Sequence, residues 1–392
     1  MALSRQQAWT IFAAAWATSS VAAGFAFVGP VLALLLERMT GSGSFIGLFA
    51  SVSALTTVML TPLAPRLMSR FPSGGIVAAG LLGAAACFPL FKLLADPWLW
   101  FPVRFVQGLC LTVVFVVCET WINSVTPEEV RGRVLSLYAI ALAGGLGLGA
   151  AAAALLIDRL GLDGWLPFLI GMAIVGAGFV PLALRRHITM SAPEAHDSSI
   201  AVMLGILKGA PGLFAAVFAF GAIEFSLFHM VPVYGVRLGF SEGAAAMLLL
   251  AMPVGSLLLT YPIGMAADRF DRGRVLLLLF GTCVALALLI SRLSGFWPIT
   301  VALAVFVGAA GGLYTVGLAI LSERHKGARM AAANSSFIML YGVGSLLSPF
   351  LIGEGMDRAG PEALPLMLAG VTALAMGVYV LTRRPLAVAV DT

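Results

Sequence analysis

The chain has 392 residues, a formal net charge of +5, 60% hydrophobic and 10% charged residues, and a mean hydropathy of +1.03. Soluble proteins carry about 25% charged residues, so no aqueous fold of this length has interior enough to hide the apolar surface, and lipid is the solvent for most of the chain. The basic residues are scattered through short connections and form no stripe, which excludes a nucleic-acid-binding surface. Cys87, Cys110, Cys118 and Cys283 fall inside apolar runs without metal-ligand spacing and read as packing residues; no cofactor is implied.

Unbroken apolar runs favour helical spans over barrel strands. Taken in order, the runs predict twelve spans near 9–36, 43–65, 74–95, 97–123, 132–157, 164–184, 211–236, 241–265, 274–293, 296–321, 331–353 and 361–382. The first is too long for the apolar core of a signal peptide and is read as a retained span. Local signals agree with the segmentation: Ser4 with Gln7, and Thr126 with Glu129 after Pro127, have capping-box spacing, and Asp96-Pro97 and Gly360-Pro361 mark helix entries. An even count puts both termini on one side. Sixteen Lys and Arg residues fall on that side against six on the other, which makes it the cytoplasmic one.

Rare residues show an internal repeat. At an offset of 199 residues Arg38 matches Arg237, Ser42 matches Ser241, Arg70 matches Arg269, Asp158 matches Asp357, and Arg159 matches Arg358. In a chain so poor in charge this register indicates duplication. The fold class is therefore all-α integral membrane, with twelve transmembrane helices in two pseudo-symmetric six-helix bundles, 1–184 and 211–392. A polar cytoplasmic linker, 185–210, joins them.

Gly264-Met265-Ala266-Ala267-Asp268-Arg269-Phe270-Asp271-Arg272-Gly273-Arg274 resembles the loop signature of the major facilitator superfamily, and Arg104-Phe105-Val106-Gln107-Gly108 resembles that family's fourth-span signature. The resemblance covers essentially the whole chain. It implies two bundles that rock about a central site, with spans 1, 4, 7 and 10 lining a cavity and spans 2, 5, 8 and 11 forming the moving interface. It also implies a cytoplasmic latch made of Gly264, Asp268, Arg269, Arg272 and Arg274, in which Asp268 meets the N-terminus of span 5 beside Arg131 and Arg133. The repeat of this stretch is damaged: Ser69 stands where Asp268 would be, beside Arg70, so the latch is expected to be lopsided. Span 5 lacks the Gly-Pro pair of drug antiporters. The spacings Gly145-x-x-x-Gly149 and Gly308-x-x-x-Gly312 read as close-packing surfaces rather than phosphate loops.

Ionisable residues at membrane depth are functional candidates because each costs about 2.5 kcal/mol or more there. Glu224 lies about 20 Å by helical rise from the inner end of span 7, too deep to reach the surface. It is the first choice for a proton or substrate-charge site. Arg104 and Glu119 lie about 22 Å apart along span 4, on a face shared with Phe115, and for Arg104 an extended reach to the outer surface competes with a role in proton transfer. His229, about 140° round span 7 from Glu224, is read more as a satisfied polar group than as a relay. Phe225, Phe228 and Tyr314 are candidate cavity walls.

With no ATP motif, metal cluster or redox ligand set, the function that follows is secondary active transport of a small organic solute across the cytoplasmic membrane by alternating access. Protons drive it, and a single chain is the working unit. The partners are the solute, H+ and the lipid bilayer, with no nucleic acid. A solute sensor on a transporter fold, or a lipid-modifying membrane enzyme, are the alternatives. The second needs clustered nucleophiles or carboxylates, which this chain scatters.

Overall fold

A computed structural model describes residues 4–184, 205, 207–324 and 328–382. Among these residues twelve helices are long and apolar enough to cross a membrane. They are α1 (Arg5–Thr40), α2 (Gly43–Leu60), α3 (Ser73–Leu93), α4 (Pro97–Val125), α5 (Val130–Leu160), α6 (Leu166–Leu184), α7 (Pro211–Arg237), α8 (Glu242–Arg269), α9 (Arg272–Ile290), α10 (Phe296–Glu323), α11 (Ala333–Ala359) and α12 (Ala363–Thr382). Each coincides with a predicted span. The linker 185–210 lies outside the described residues except for 205 and 207–210.

The caps explain where several helices begin. Ser4 and Gln7 form the predicted capping box, Gln7 N–H donating to Ser4 Oγ at 3.2 Å and Ser4 N–H to Gln7 Oε1 at 2.9 Å. Ser42 and Ser241, matched at the repeat offset, accept from Phe45 N–H and Ala244 N–H, each at 3.2 Å. Two expectations are corrected. Thr126 does not cap α5: its hydroxyl donates back to the Ile122 carbonyl, satisfying the end of α4 instead, and the helix that contains α5 starts at Glu128, after Pro127, with no side-chain cap. The stretch from Gly264 is also not a loop. Its alanines and methionine are good helix formers, so α8 continues to Arg269, and only Phe270 and Asp271 separate it from α9. Asp271 caps α9 by accepting from Arg274 N–H at 2.8 Å.

The chain packs as two compact units. The first holds the described residues up to 184 together with Ser226–Pro253 and Ser348–Leu364. The second holds the described residues up to Phe225 that follow 204, then Val254–Leu347, and residues from Pro365 onward.

Within each unit, helices approach through small residues, as expected where lipid supplies no hydrophobic drive between spans. A Cβ on Gly145 would strike the Ser19 carbonyl oxygen of α1, and one on Gly149 would strike that of Ala23. In the second unit a Cβ on Gly344 would strike the Phe218 carbonyl oxygen of α7. Gly344 and Phe218 are the repeat partners of Gly145 and Ser19, so the duplication is preserved as one backbone contact made twice. Gly308 likewise sits against the Gly255 carbonyl at 2.5 Å from its would-be Cβ, which confirms the packing role of both glycine spacings. All four cysteines are free thiols within helices.

Neighbouring glycines on α5 give a test. Gly145→Ala should lower the thermal midpoint in detergent by several degrees, a loss of about 1–3 kcal/mol from overpacking. At Gly144 a Cβ meets nothing within 4 Å, and Gly144→Ala should be neutral or stabilising by up to about 1 kcal/mol.

Candidate functional site

The i, i+3 spacing of Arg104 and Gln107 puts both side chains on one face of α4, and both are buried, at 2% and 1% exposure. Arg104 Nη1 donates to Gln107 Oε1 at 2.9 Å, and its Nη2 lies 3.3 Å from His229 Nε2 on α7. The guanidinium carbon stands 5.3 Å from the ring centres of both Phe25 on α1 and Phe49 on α2, within cation–π range. Arg104 therefore does not reach for the surface. Two ring faces and the Gln107 amide oxygen stand in for water there. Its Nε and the Gln107 Nε2 have no acceptor, and among the described residues it forms no ion pair. His229, 5% exposed, is thus the place where α4 of the first half meets α7 of the second, while Phe228 stacks on Phe25 at 4.7 Å and 10°.

In the second unit the Tyr341 hydroxyl donates to Glu224 Oε2 at 2.7 Å. The close approach of α7 and α11 at Gly221 and Gly344 delivers it: a Cβ on Gly221 would strike the Tyr341 carbonyl oxygen. Ser345 braces the same crossing, donating to the Gly221 carbonyl of α7 at 3.3 Å. Phe220 lies 5.5 Å from Tyr314 and 5.8 Å from Tyr341, and Tyr314 lies 5.2 Å from Phe337, so an aromatic wall adjoins the carboxylate. Phe115, Phe225 and Phe228 are half-buried. Glu119 is exposed, its carbonyl accepting from Asn123 Nδ2 at 3.0 Å, and so it does not share the buried setting of Arg104.

The expected latch residues make contacts inside their own units. Arg272 is the hub: Nη1 meets Glu323 Oε1 at 2.7 Å, Nη2 lies 3.6 Å from Asp268, and Nε donates to the Ala267 carbonyl at 3.2 Å. The Asp268 side chain is 77% exposed. Gly264 is exposed with open space at its would-be Cβ, and Arg269 and Arg274 are exposed. In the first unit Ser69 Oγ donates to the Arg66 carbonyl, Arg70 and Arg133 are exposed, and Arg131 lies 3.9 Å from Glu128. Asp268 and the arginines 131 and 133 belong to different units.

A second ionic cluster occupies the distal end of the first unit, away from Ser4. Arg237, at the end of α7, donates to both Glu37 oxygens at 2.7 and 3.0 Å and to Asp357 Oδ1 at 3.0 Å. Asp357, on α11, also accepts from Gly43 N–H at 2.6 Å and Ser44 N–H at 2.9 Å, filling the open N-terminus of α2. Its repeat partner Asp158 does the same for α8, accepting from Gly243 N–H at 2.8 Å and from the Ser241 hydroxyl at 3.0 Å. Arg38 completes that side with Glu242 at 2.6 Å and Asp163 at 3.0 Å. Arg38, Arg237, Asp158 and Asp357 are the charged pairs that reveal the duplication in the sequence. Their role as a clasp between α2 and α11, and between α5 and α8, was missed because offset alone says nothing about which side chains meet. Tyr341, Phe25 and Phe49 were missed too. A midspan tyrosine in a chain with only six was the available signal.

The Major Facilitator Superfamily model matches residues 14–259 and 237–391. This chain belongs to the major facilitator superfamily. Similar proteins include the uncharacterized MFS-type transporter YfkF of Bacillus subtilis (strain 168), 25% identical over 337 residues and 84% of each chain. The uncharacterized MFS-type transporter YcaD of Salmonella enteritidis PT4 is 29% identical over 298 residues, 75% of each chain. Among solved structures, a mutant of the nucleoside transporter NupG superposes with a TM-score of 0.81 at 14% identity, covering 96% of this chain and 100% of that one. The D-xylose-proton symporter gives 0.73 at 15% identity, covering 94% and 97%. These structural likenesses establish the fold. The chain is a multi-pass membrane transporter of the superfamily. Among the described residues no group of three His, Cys, Asp or Glu side chains is placed to hold a metal ion.

The twin clasps of this superfamily member differ in burial, and a double-mutant cycle should register it. Between Glu37→Gln and Arg237→Gln, side chains 16% and 15% exposed, the coupling should be about 1–3 kcal/mol. Between Arg38→Gln and Asp163→Asn, 46% and 80% exposed, it should stay under about 1 kcal/mol. Chemical unfolding of the purified protein measures both.

Proposed function

We propose that this transporter is a proton-coupled secondary carrier of a small organic solute, working as a single chain by alternating access in the cytoplasmic membrane with both termini in the cytoplasm. The observation that carries the reading is the Glu224 carboxylate, set deep in α7 and hydrogen-bonded by the Tyr341 hydroxyl. A lone carboxyl group at that depth is costly unless it is used, and a phenol that donates to the carboxylate can rotate away when the acid takes a proton. The neighbouring rings of Phe220, Tyr314 and Tyr341 suit a solute with an apolar or aromatic body and a neutral or cationic polar group. The sixteen-to-six distribution of basic residues supports the orientation. The same architecture serves a D-xylose-proton symporter, so the fold accommodates coupling of a polar solute to protons.

A thermal-stability screen against metabolites and organic cations identifies ligands, and flux in proteoliposomes tests the reading. Glu224→Gln should abolish accumulation driven by a pH gradient, by about tenfold or more, while solute exchange at equal pH continues. Tyr341→Phe should lower the rate about 2–10-fold and keep the gradient dependence. Accumulation by Glu224→Gln at the wild-type level would remove proton coupling at this residue. Ligand binding without flux in the wild type would make the protein a sensor.

A further inference from the structure

Within the first unit, α2, α3 and α4 leave an apolar groove of about 580 Å³ between them, beside the connection formed by residues 61–70. Leu60, Leu67, Phe71, Ile76, Leu109 and Val113 give it carbon walls, and no charged residue lines it. That composition does not suit a polar solute. Along α3 the groove runs from Pro72 to Gly80, about 12 Å by helical rise, close to the depth of one hydrocarbon leaflet, about 15 Å. Leu67 and Phe71 reach it from the short helix Ala64–Arg70 and the residue that ends it. Arg66 and Arg70, four residues apart and so on one face of that helix, stand next to them in sequence and are both exposed. Among the described residues neither forms an ion pair.

The duplicate half shows what is special here. At the repeat offset the connection of the second unit holds its charges among themselves, Arg272 pairing with Glu323 at 2.7 Å and Asp268 at 3.6 Å. In the first half all three positions are serine: Ser73, Ser124 and Ser69. Arg70 keeps its counterpart in Arg269, and Arg66 is added where the second half has Met265. The first half has thus lost the acids and gained a cation. The groove follows the same division. Gly75, Ala79 and Gly80 line it, and their counterparts are the longer Arg274, Leu278 and Leu279.

We propose that this groove is a binding site for one anionic phospholipid, with an acyl chain lying along α3 and α4 and the phosphate held by Arg66 and Arg70. The lipid supplies the negative charge that the serines no longer carry, and apolar surface where the small residues leave space. The site lies apart from Glu224 and does not need proton coupling. Only its assignment to the inner leaflet rests on the cytoplasmic placement of the termini proposed above.

The test uses full-length protein, freed of lipid in mild detergent and titrated with dioleoylphosphatidylglycerol or, for comparison, dioleoylphosphatidylcholine. Native mass spectrometry counts bound lipids, and the thermal midpoint follows binding by mass action. One phosphatidylglycerol should bind about tenfold more tightly than phosphatidylcholine, as expected for two basic residues at a membrane surface. In Arg66→Gln/Arg70→Gln the preference should fall to about twofold or less with phosphatidylcholine binding unchanged. Gly75→Leu/Ala79→Leu fills the groove: a Cβ on Gly75 meets only Pro72 Cγ, at an ordinary 3.5 Å, and Ala79 is exposed. That variant should melt without lipid at or above the wild-type midpoint and bind both lipids about tenfold more weakly. Glycerol phosphate, a headgroup without chains, should shift nothing.

Equal affinity for the two lipids in the wild type, full preference in the arginine variant, or undiminished binding in the filled one overturns the proposal. Stabilisation by glycerol phosphate alone overturns it in favour of a soluble-anion site, and a dimer that forms as lipid is lost gives the groove to a second copy of the chain. Glu224→Gln should take up phosphatidylglycerol as the wild type does, so failure of the lipid site and failure of proton coupling are separate results. Protein in detergent has no sidedness, and a reversed orientation would move the site to the other leaflet without altering these readouts.

Discussion

The structure depends on how a few charges are placed at helix ends whose backbone N–H groups have no partner within their own helix. Asp357 illustrates the constraint. The N-terminus of α2 presents backbone N–H groups that its own helix cannot use, and Ser42 takes only one of them. The aspartate of α11 fills two more and has an oxygen left for Arg237, which in turn holds Glu37. A single carboxylate so joins three helices by bonds that are each charge-assisted, and thus stronger than neutral ones. Asp158 repeats the arrangement at α8. Because each cap is supplied by a helix of the opposite half, the two halves cannot separate at this end without exposing amide groups and ions together.

The buried arginine of α4 obeys the opposite logic. Where Arg237 is matched by acids, Arg104 is matched only by an amide oxygen, an imidazole and two aromatic faces.

Much of the fold was legible in the sequence because membrane helices advertise themselves. All twelve spans follow from uninterrupted apolar runs, and the duplication follows from matched charges that composition makes rare. Helix ends were harder. Thr126 has the spacing of a cap and is drawn instead to the preceding helix, and the stretch ending at Asp268 looks charged enough for a loop but is made of residues that prefer to continue α8. Of the candidate site, depth alone singled out Glu224 and motif spacing singled out Arg104, and the structure gives each a side-chain hydrogen bond. Tyr341 and Phe49 were not singled out, since whether an aromatic side chain touches a charge depends on the rotation of one helix against another, set here by glycines whose partners are backbone atoms. Of the clasp, Arg38, Arg237, Asp158 and Asp357 were seen as marks of ancestry and not as contacts, and their partners Glu37, Asp163 and Glu242 were not seen.

One feature of the clasp bears on how the protein is made. The group that completes the start of α2 lies 314 residues further along the chain. At synthesis rates of about 5–20 residues per second, the newborn second helix waits tens of seconds in the bilayer with its leading amides bare, and Arg104 waits beside it for an imidazole not yet translated. The first six helices are therefore an unfinished object when they leave the insertion machinery, and α7 and α11 complete them.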